Sequence, residues 1–378
     1  MTWPVAGAGA VAAVGSTAAE VFAALCDGRT GRALLRAFDP DSYRAQYAYE
    51  IDDRPDRTDV PARATAWLLR AVAEAVGQAG VGEDLTDVPV LIGTGLRELR
   101  SAELAWHDGA PFDLGRLHFG PALRERFGAV HTYTFANACS ASLYALALAA
   151  DLLADGECDR VVVAGVDALT ESMFGLLDRA QMAVPDRVAA FAATRGGTLL
   201  GEGAAAVVLA RTGAGATALG RLRSVGINCD AYHATAPDPP GMAAAMRDAH
   251  ERAGVLPRDI SLVLLHGTGT PLNDQAEAEA VGDVFGPDVK APLMMAIKPA
   301  TGHTSGGSGL LSLVVALQVL ASGRVPAAAG PSDPLAAAAG FRFTGGLADP
   351  GTGPRLAQVN AFGFGGVNAV AVVEGPAP

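Results

Sequence analysis

Residues 137–156, NACSASLYALALAADLLADG, set a cysteine among small residues just ahead of a helix-length run that is apolar on nearly every side. A helix apolar all round belongs in a core, so its first turn delivers Cys139 to the floor of a buried cleft. The unpaired amides and positive dipole end of that turn favour a thiolate; lowering a thiol from about 8.5 to about 7 is worth roughly 2 kcal/mol. Cys139 is therefore the candidate nucleophile. Alone, it reads as a small buried filler, as most cytosolic cysteines do. Three downstream stretches change that reading: HGTGTPLND from His266, KPATGH from Lys298 to His303, and NAFGFGGVNA from Asn360.

The chain has 378 residues, 50% of them hydrophobic, enough for one large core or two fused ones. A formal charge of -12, with no long Lys/Arg cluster, argues against nucleic acid as a partner. Cys26, Cys139, Cys158 and Cys229 are scattered without CxxC spacing, so neither a zinc site nor a disulfide framework is expected. The N-terminal MTWPVAGAGAVAAVG lacks a basic leader, and no run reaches the roughly 18 apolar residues of a membrane span. The expectation is a cytoplasmic protein without a membrane partner. Among the basic residues only Lys290 and Lys298 are lysines, which suggests a place for a compact ammonium near His303.

Along the chain, residues 4 to 9 read as a short first strand ending in glycines, followed by the helix TAAEVFAALCDG capped by Ser16. Gly7, Gly9 and Ala12 fit a GxGxxA dinucleotide fingerprint, but no acidic residue closes a clear second strand, and a tight glycine turn is the preferred reading. A helix over about Ala62 to Ala79 leads to the strand VPVLIGTG, and TYTFA precedes Asn137. DRVVVAGVDAL and GTLLGEGAAAVVLAR read as further strands.

The second half repeats the first. The spacing from Gly80 to the end of VLIGTG at Gly95 returns from Gly254 to the end of VLLHGTG at Gly269. CSASLYALALAADLLADG aligns with GGSGLLSLVVALQVLASG, Leu143 on Leu310, Leu146 on Leu313 and Gly156 on Gly323, and GEGAAAVVL mirrors GFGGVNAVAVV. So long a repeat reads as duplication of one α/β layer, with halves at 1–210 and 211–378 whose apolar helices pack together between sheets. Cys139 then comes from the first half, and His266 and His303 from the second.

Of the seven histidines, His107, His118, His131, His233 and His250 read as surface or packing residues. His266 and His303 each sit in a Gly/Thr turn after an apolar strand, where α/β folds place ligands. A thiolate facing two imidazoles suits acyl transfer followed by carbon–carbon bond formation, the imidazoles donating to the enolate oxygen left when a carboxylated extender loses CO2. A protease-like pair needs only one histidine and an Asn or Asp orienter. No HExxH or carboxylate cluster suggests a metal.

NACSAS, HGTGTPLNDQAE, KPATGH and NAFGFGGVNA, in that order, resemble the beta-ketoacyl synthase (ketosynthase) family of the thiolase-like fold. The resemblance implies an α/β protein of duplicated, layered α-β-α-β-α halves with mixed sheets. It implies that Cys139 accepts the acyl group, that His266 and His303 serve decarboxylation and condensation, and that Lys298 and Glu277 form a charged pair steadying the site. The amides of Cys139 and Phe364 would form the oxyanion hole, Phe362 and Phe364 a gating loop, and Thr268 and Thr270 the contacts to a phosphopantetheine arm. No metal and no cofactor beyond that carrier-borne arm is implied. The expected partners are an acyl carrier protein and a second ketosynthase-like chain, identical or homologous and chain-length-factor-like. The stretch from Gly95 to Asn137 is shorter than typical members carry, and FAATRGGTLLGEG lacks acidic and aromatic residues often found around its Arg. The size resembles the dissociated enzymes of fatty-acid-like or polyketide assembly. The alternatives are an acyltransferase making an ester or amide without decarboxylation, and a non-catalytic partner subunit.

Overall fold

The computed structural model describes residues 1–54, 58–211, 218–326, 330–343 and 355–376. Its first half runs β1 (Trp3–Ala12), α1 (Ala18–Cys26), β2 (Ala33–Leu34), β3 (Tyr47–Ala48), α2 (Arg63–Ala79), β4 (Val90–Gly93), α3 (Leu99–Asp108), α4 (Gly120–Phe127), β5 (Thr132–Phe135), α5 (Ala141–Ala154), β6 (Arg160–Asp167), α6 (Glu171–Ala180) and β7 (Gly203–Ala210). The second runs β8 (Gly220–Cys229), α7 (Pro239–Ala253), β9 (Leu262–Leu264), α8 (Pro271–Phe285), β10 (Leu293–Met295), α9 (Lys298–Thr301), α10 (Ser308–Ser322), β11 (Arg342–Phe343), β12 (Leu356–Gly363) and β13 (Val367–Glu374). The expected division at 210/211 stands just ahead of residues 212–217, which lie outside the described residues.

The strand order β11-β10-β9-β12-β13-β8-β1-β7-β6-β4-β5 repeats itself about the β8–β1 seam. Outward from that seam, β1, β7, β6, β4 and β5 correspond to β8, β13, β12, β9 and β10. In both halves the outer neighbours are parallel and the inner ones antiparallel. Period-two alternation then sorts side chains between layers. Leu91, Val161, Val163, Val207, Val359 and Ala371 face a central core with α5 and α10. Val90, Ile92, Val162, Ala206 and Val208 pack outward on α2, while Val370 and Val372 pack outward toward α7 and α8. The layering is therefore helix, sheet, paired helices, sheet, helix.

Two expectations are corrected. β1 continues through Gly7 and Gly9, which are neither a turn nor a nucleotide loop. A Cβ on either would meet α2 backbone at 2.1 Å (Ala75 O) and 2.2 Å (Ala71 O), so the glycines let a helix press onto a strand. Ser305–Ser322 is long and apolar enough, at mean hydropathy 1.5, to cross a membrane by length and composition, although no such run was expected. With 78% of it buried inside the protein, it is the core helix of the second half.

Candidate active site

Cys139 sits on a strained elbow. Ala138 has φ +58, a left-handed conformation costly for a residue with a Cβ, and it turns the chain from β5 into a short 3-10 turn and then α5. The second half copies this device: Ser305, at the matching position, has φ +43 and leads through its own 3-10 turn into α10. Asp167, at the end of β6, ties the second elbow to the turn that follows β4 in the first half. Its carboxylate accepts from Thr94 Oγ1 (2.7 Å), Gly95 N (2.8 Å) and Leu96 N (2.7 Å) of the first half and from Gly306 N (2.6 Å) of the second. Burial pushes this carboxyl up to about 6 despite those donors.

Cys139 Sγ lies 3.1 Å from His303 Nε2. That sulfur and one ring nitrogen from each of His266 and His303 all lie within 4.8 Å of one another, and the two rings meet edge to face at 5.4 Å. The backbone amides of Cys139 and Phe364 both reach the sulfur. The expectation of a thiol lowered by a helix dipole is reversed: burial dominates and pushes Cys139 up to about 11, against the opposing pull of Lys298 and the two amides. The residue keeps one side partly open while the surrounding protein desolvates the thiolate.

His266 (1% exposed) and His303 (6% exposed) are both held well below the ordinary histidine range, first by burial and then by the Lys298 charge. They are neutral imidazoles. Lys298 Nζ donates to His266 O at 2.5 Å and lies 3.3 Å from His266 Nδ1, so Nδ1 is the acceptor and Nε2 carries the hydrogen. Glu277 accepts the backbone N–H of His266 at 2.6 Å and of Gly267 at 2.9 Å. Lys298 and Glu277 thus grip one peptide from two sides; they do not meet in an ion pair among the described residues. His303 Nδ1 is buried without a partner among the described residues.

Thr268 is buried, and Thr270 caps α8, accepting from Asn273 N; their hydroxyls are 2.9 Å apart. Phe362 departs from the expected gating loop: it lies on β12, 5% exposed, with its ring 6.0 Å from that of His266, and is part of the wall. Phe364, 52% exposed, lies in the tip joining β12 to β13. Asp274, Asn360 and Asp167 were not singled out from sequence. Asp274 accepts from Phe191 N at 2.7 Å and Gly269 N at 3.1 Å, and both it and Asn360 lie inside quoted motifs where their partners could not be read. The cavity enclosed by Pro61, Phe112, Arg116 and His118 is elsewhere and contains none of these groups.

A duplicated, five-layered α/β scaffold with a cysteine at one elbow and two neutral imidazoles from the other half defines a protein of the thiolase-like fold. Residues 128–214 match the N-terminal domain of beta-ketoacyl synthase and residues 219–330 its C-terminal domain; the chain belongs to the beta-ketoacyl synthase family. Nodulation protein E of Rhizobium meliloti is 33% identical over 62% of this chain and 59% of its own length. One component of the phenolphthiocerol/phthiocerol polyketide synthase of Mycobacterium tuberculosis is 32% identical over 94% of this chain and 20% of its own. The matched stretch thus spans less than two thirds of either relative. Among solved structures, the ishigamide ketosynthase/chain length factor superposes with TM-score 0.87 at 27% identity, covering 100% of this chain and 99% of that one. A type II polyketide synthase ketosynthase in complex with its acyl-carrier protein shares the fold at TM-score 0.85 and 18% identity, covering 100% and 99%.

Proposed function

We propose that the chain is a beta-ketoacyl-[acyl-carrier-protein] synthase working in polyketide or fatty-acid-like assembly. The observation that carries this reading is the convergence of Cys139 Sγ, His266 and His303 within 4.8 Å, with both imidazoles neutral. Cys139 Sγ attacks the carrier thioester while His303 Nε2 takes the thiol proton, which suits a thiol too weakly acidic to ionise alone. The tetrahedral oxyanion faces the Cys139 and Phe364 amides, and collapse expels the carrier thiol, which recovers the proton. Malonyl on a second carrier then loses CO2. Its enolate oxygen accepts from Nε2 of His266, fixed as a donor by Lys298, and from Nε2 of His303 once that ring, whose Nδ1 no described residue holds, has shifted to its Nε2–H tautomer. The enolate carbon attacks acyl-Cys139, and collapse breaks the C–S bond to give the 3-oxoacyl product and the Cys139 thiolate, which takes a proton from water.

The phosphopantetheine arm of the carrier passes Thr268 and Thr270, and Phe364 screens the mouth. No cofactor beyond that arm and no metal enters the scheme. The protein acts in the cytoplasm as a homodimer or beside a homologous chain-length-factor-like subunit. The structural likeness to a ketosynthase/chain length factor makes a non-catalytic partner role the second reading. Cys139 together with both histidines favours catalysis. Intact-mass spectrometry across a panel of carrier-bound acyl chains should show acyl-Cys139, and malonyl carrier should then give 3-oxoacyl product, lost in Cys139→Ala. Product from that variant sinks the assignment. Acylation followed by transfer only to a hydroxy or amino acceptor identifies the acyltransferase alternative, and no acylation at all identifies a partner subunit.

A further inference from the structure

α7 buries a histidine in an otherwise apolar layer. His250, 4% exposed, meets the Phe285 ring edge to face, with ring centroids 5.8 Å apart. Its Nε2 is 2.6 Å from Gln358 Oε1, Gln358 Nε2 donates to Asn360 Oδ1 at 2.8 Å, and Asn360 Nδ2 donates to Glu277 Oε1 at 3.0 Å. Glu277 is the carboxylate that holds the His266 and Gly267 amides. Gln358 and Asn360, two apart on β12, share the face that meets α7 and α8. An unbroken buried chain therefore joins the outer helix to the peptide of an active-site imidazole.

The last member fixes the direction of the rest. At pH above the raised range of Glu277 its carboxylate only accepts, so there Asn360 must turn Nδ2 to Glu277 and Oδ1 to Gln358. Gln358 must then present Nε2 to Asn360 and Oε1 to His250, so His250 Nε2 must carry a hydrogen. Each of these polar groups is buried where loss of its partner leaves an uncompensated group.

The geometry points to His250 and Gln358 as positioning residues of the proposed ketosynthase site: they lock the Asn360 amide on Glu277, and through it the peptide that aims His266. They touch no substrate. Without the His250 donor, Gln358 and then Asn360 are free to turn over, Glu277 loses one of its donors, and its hold on His266 loosens. Cys139, on the elbow of the other half, is left in place. The role in turnover rests on the ketosynthase reading; the direction of the chain does not.

His250→Leu and Gln358→Leu should lower kcat for decarboxylative condensation about tenfold, the loss of one buried hydrogen bond, with KM for malonyl carrier and the rate of Cys139 acylation unchanged. His250→Gln, whose Nε2 can stand where the imidazole nitrogen stood, should recover most of the rate. If both leucine variants condense at the wild-type rate, or if acylation falls in step with condensation, the relay is wrong. A second measurement needs no turnover: long-range 1H–15N spectra of histidine-labelled wild-type protein, with His250 assigned by its disappearance in His250→Gln, should show the Nε2–H tautomer. An Nδ1–H tautomer overturns the relay. A protein that shows Nε2–H but makes no 3-oxoacyl product refutes the ketosynthase reading and leaves the chain of hydrogen bonds standing.

Discussion

Glu277 and Lys298 work on the same peptide, and burial moves their titrations toward each other: the carboxyl is raised above its usual range and the ammonium lowered below its own. Glu277 holds the His266 and Gly267 amides only when ionised, so condensation should fall as pH drops through its raised pKa. Lys298 loses its charge as pH rises through a lowered one. The kcat profile should accordingly be a bell narrower than an ordinary carboxylate and lysine allow, and Lys298→Arg should push the alkaline limb upward because guanidinium stays charged. A wild-type profile flat from about pH 5 to about pH 10 would count against both roles. The cysteine and both histidines were legible because their turns are written in local sequence. His250 was not: on α7 it reads as one polar residue of an amphipathic helix, and only β12 packed against it gives it a partner. Nor could local sequence weigh the helix end against burial at Cys139, since the density of protein around the sulfur is set by the other half.

At the scale of elements, the two elbows show what a duplicated unit can do. Ala138 and Ser305 adopt the same left-handed turn, but one presents Cys139 and the other presents the Gly306 amide to Asp167. The turn closes because β4 ends in a residue without a side chain: a Cβ on Gly93 would lie 2.2 Å from Ser142 N in the first turn of α5. Gly93→Ala should therefore cost about 1–3 kcal/mol by overpacking. It should also displace Cys139, read as a lower Tm together with slower acylation; an unchanged melting curve would mean that α5 is not seated by this contact. The helices and strands of the repeat were legible from apolar runs and glycine stops, and Gly80 and Gly254 do end α2 and α7 in left-handed caps. The glycines of β1 misled, because a GxGxxA pattern serves equally for a phosphate turn and for a helix pressed onto a strand.

Across the whole molecule, the repeated strand order leaves β5 at one end of the sheet, bonded on one side to β4. His131 O and Phe135 O accept from Val90 N and Thr94 N, so by alternation the peptide groups of Thr132 and Thr134 face outward. With Tyr133 49% exposed beside them, this edge is open to strand addition, and it is the seam we propose for a second ketosynthase-like chain. Thr134→Pro removes an outward N–H without breaking a bond to β4, and light scattering should show smaller particles than wild type if the edge is the seam. Sequence alone determined the duplication, the alternation of apolar layers and the identity of the sulfur and the two imidazoles, because each is written within a strand, a helix or a turn. The tertiary structure decided how acidic the thiol is, which tautomer His266 holds, and that Lys298 and Glu277 share a peptide with no ion pair between them. It also joined His250 to the site through Gln358 and Asn360. Those properties depend on burial and hydrogen bonds between residues far apart in the chain: the thiol's acidity is set where the two halves meet, and the others where β12, α7, α8 and α9 pack together within the second half.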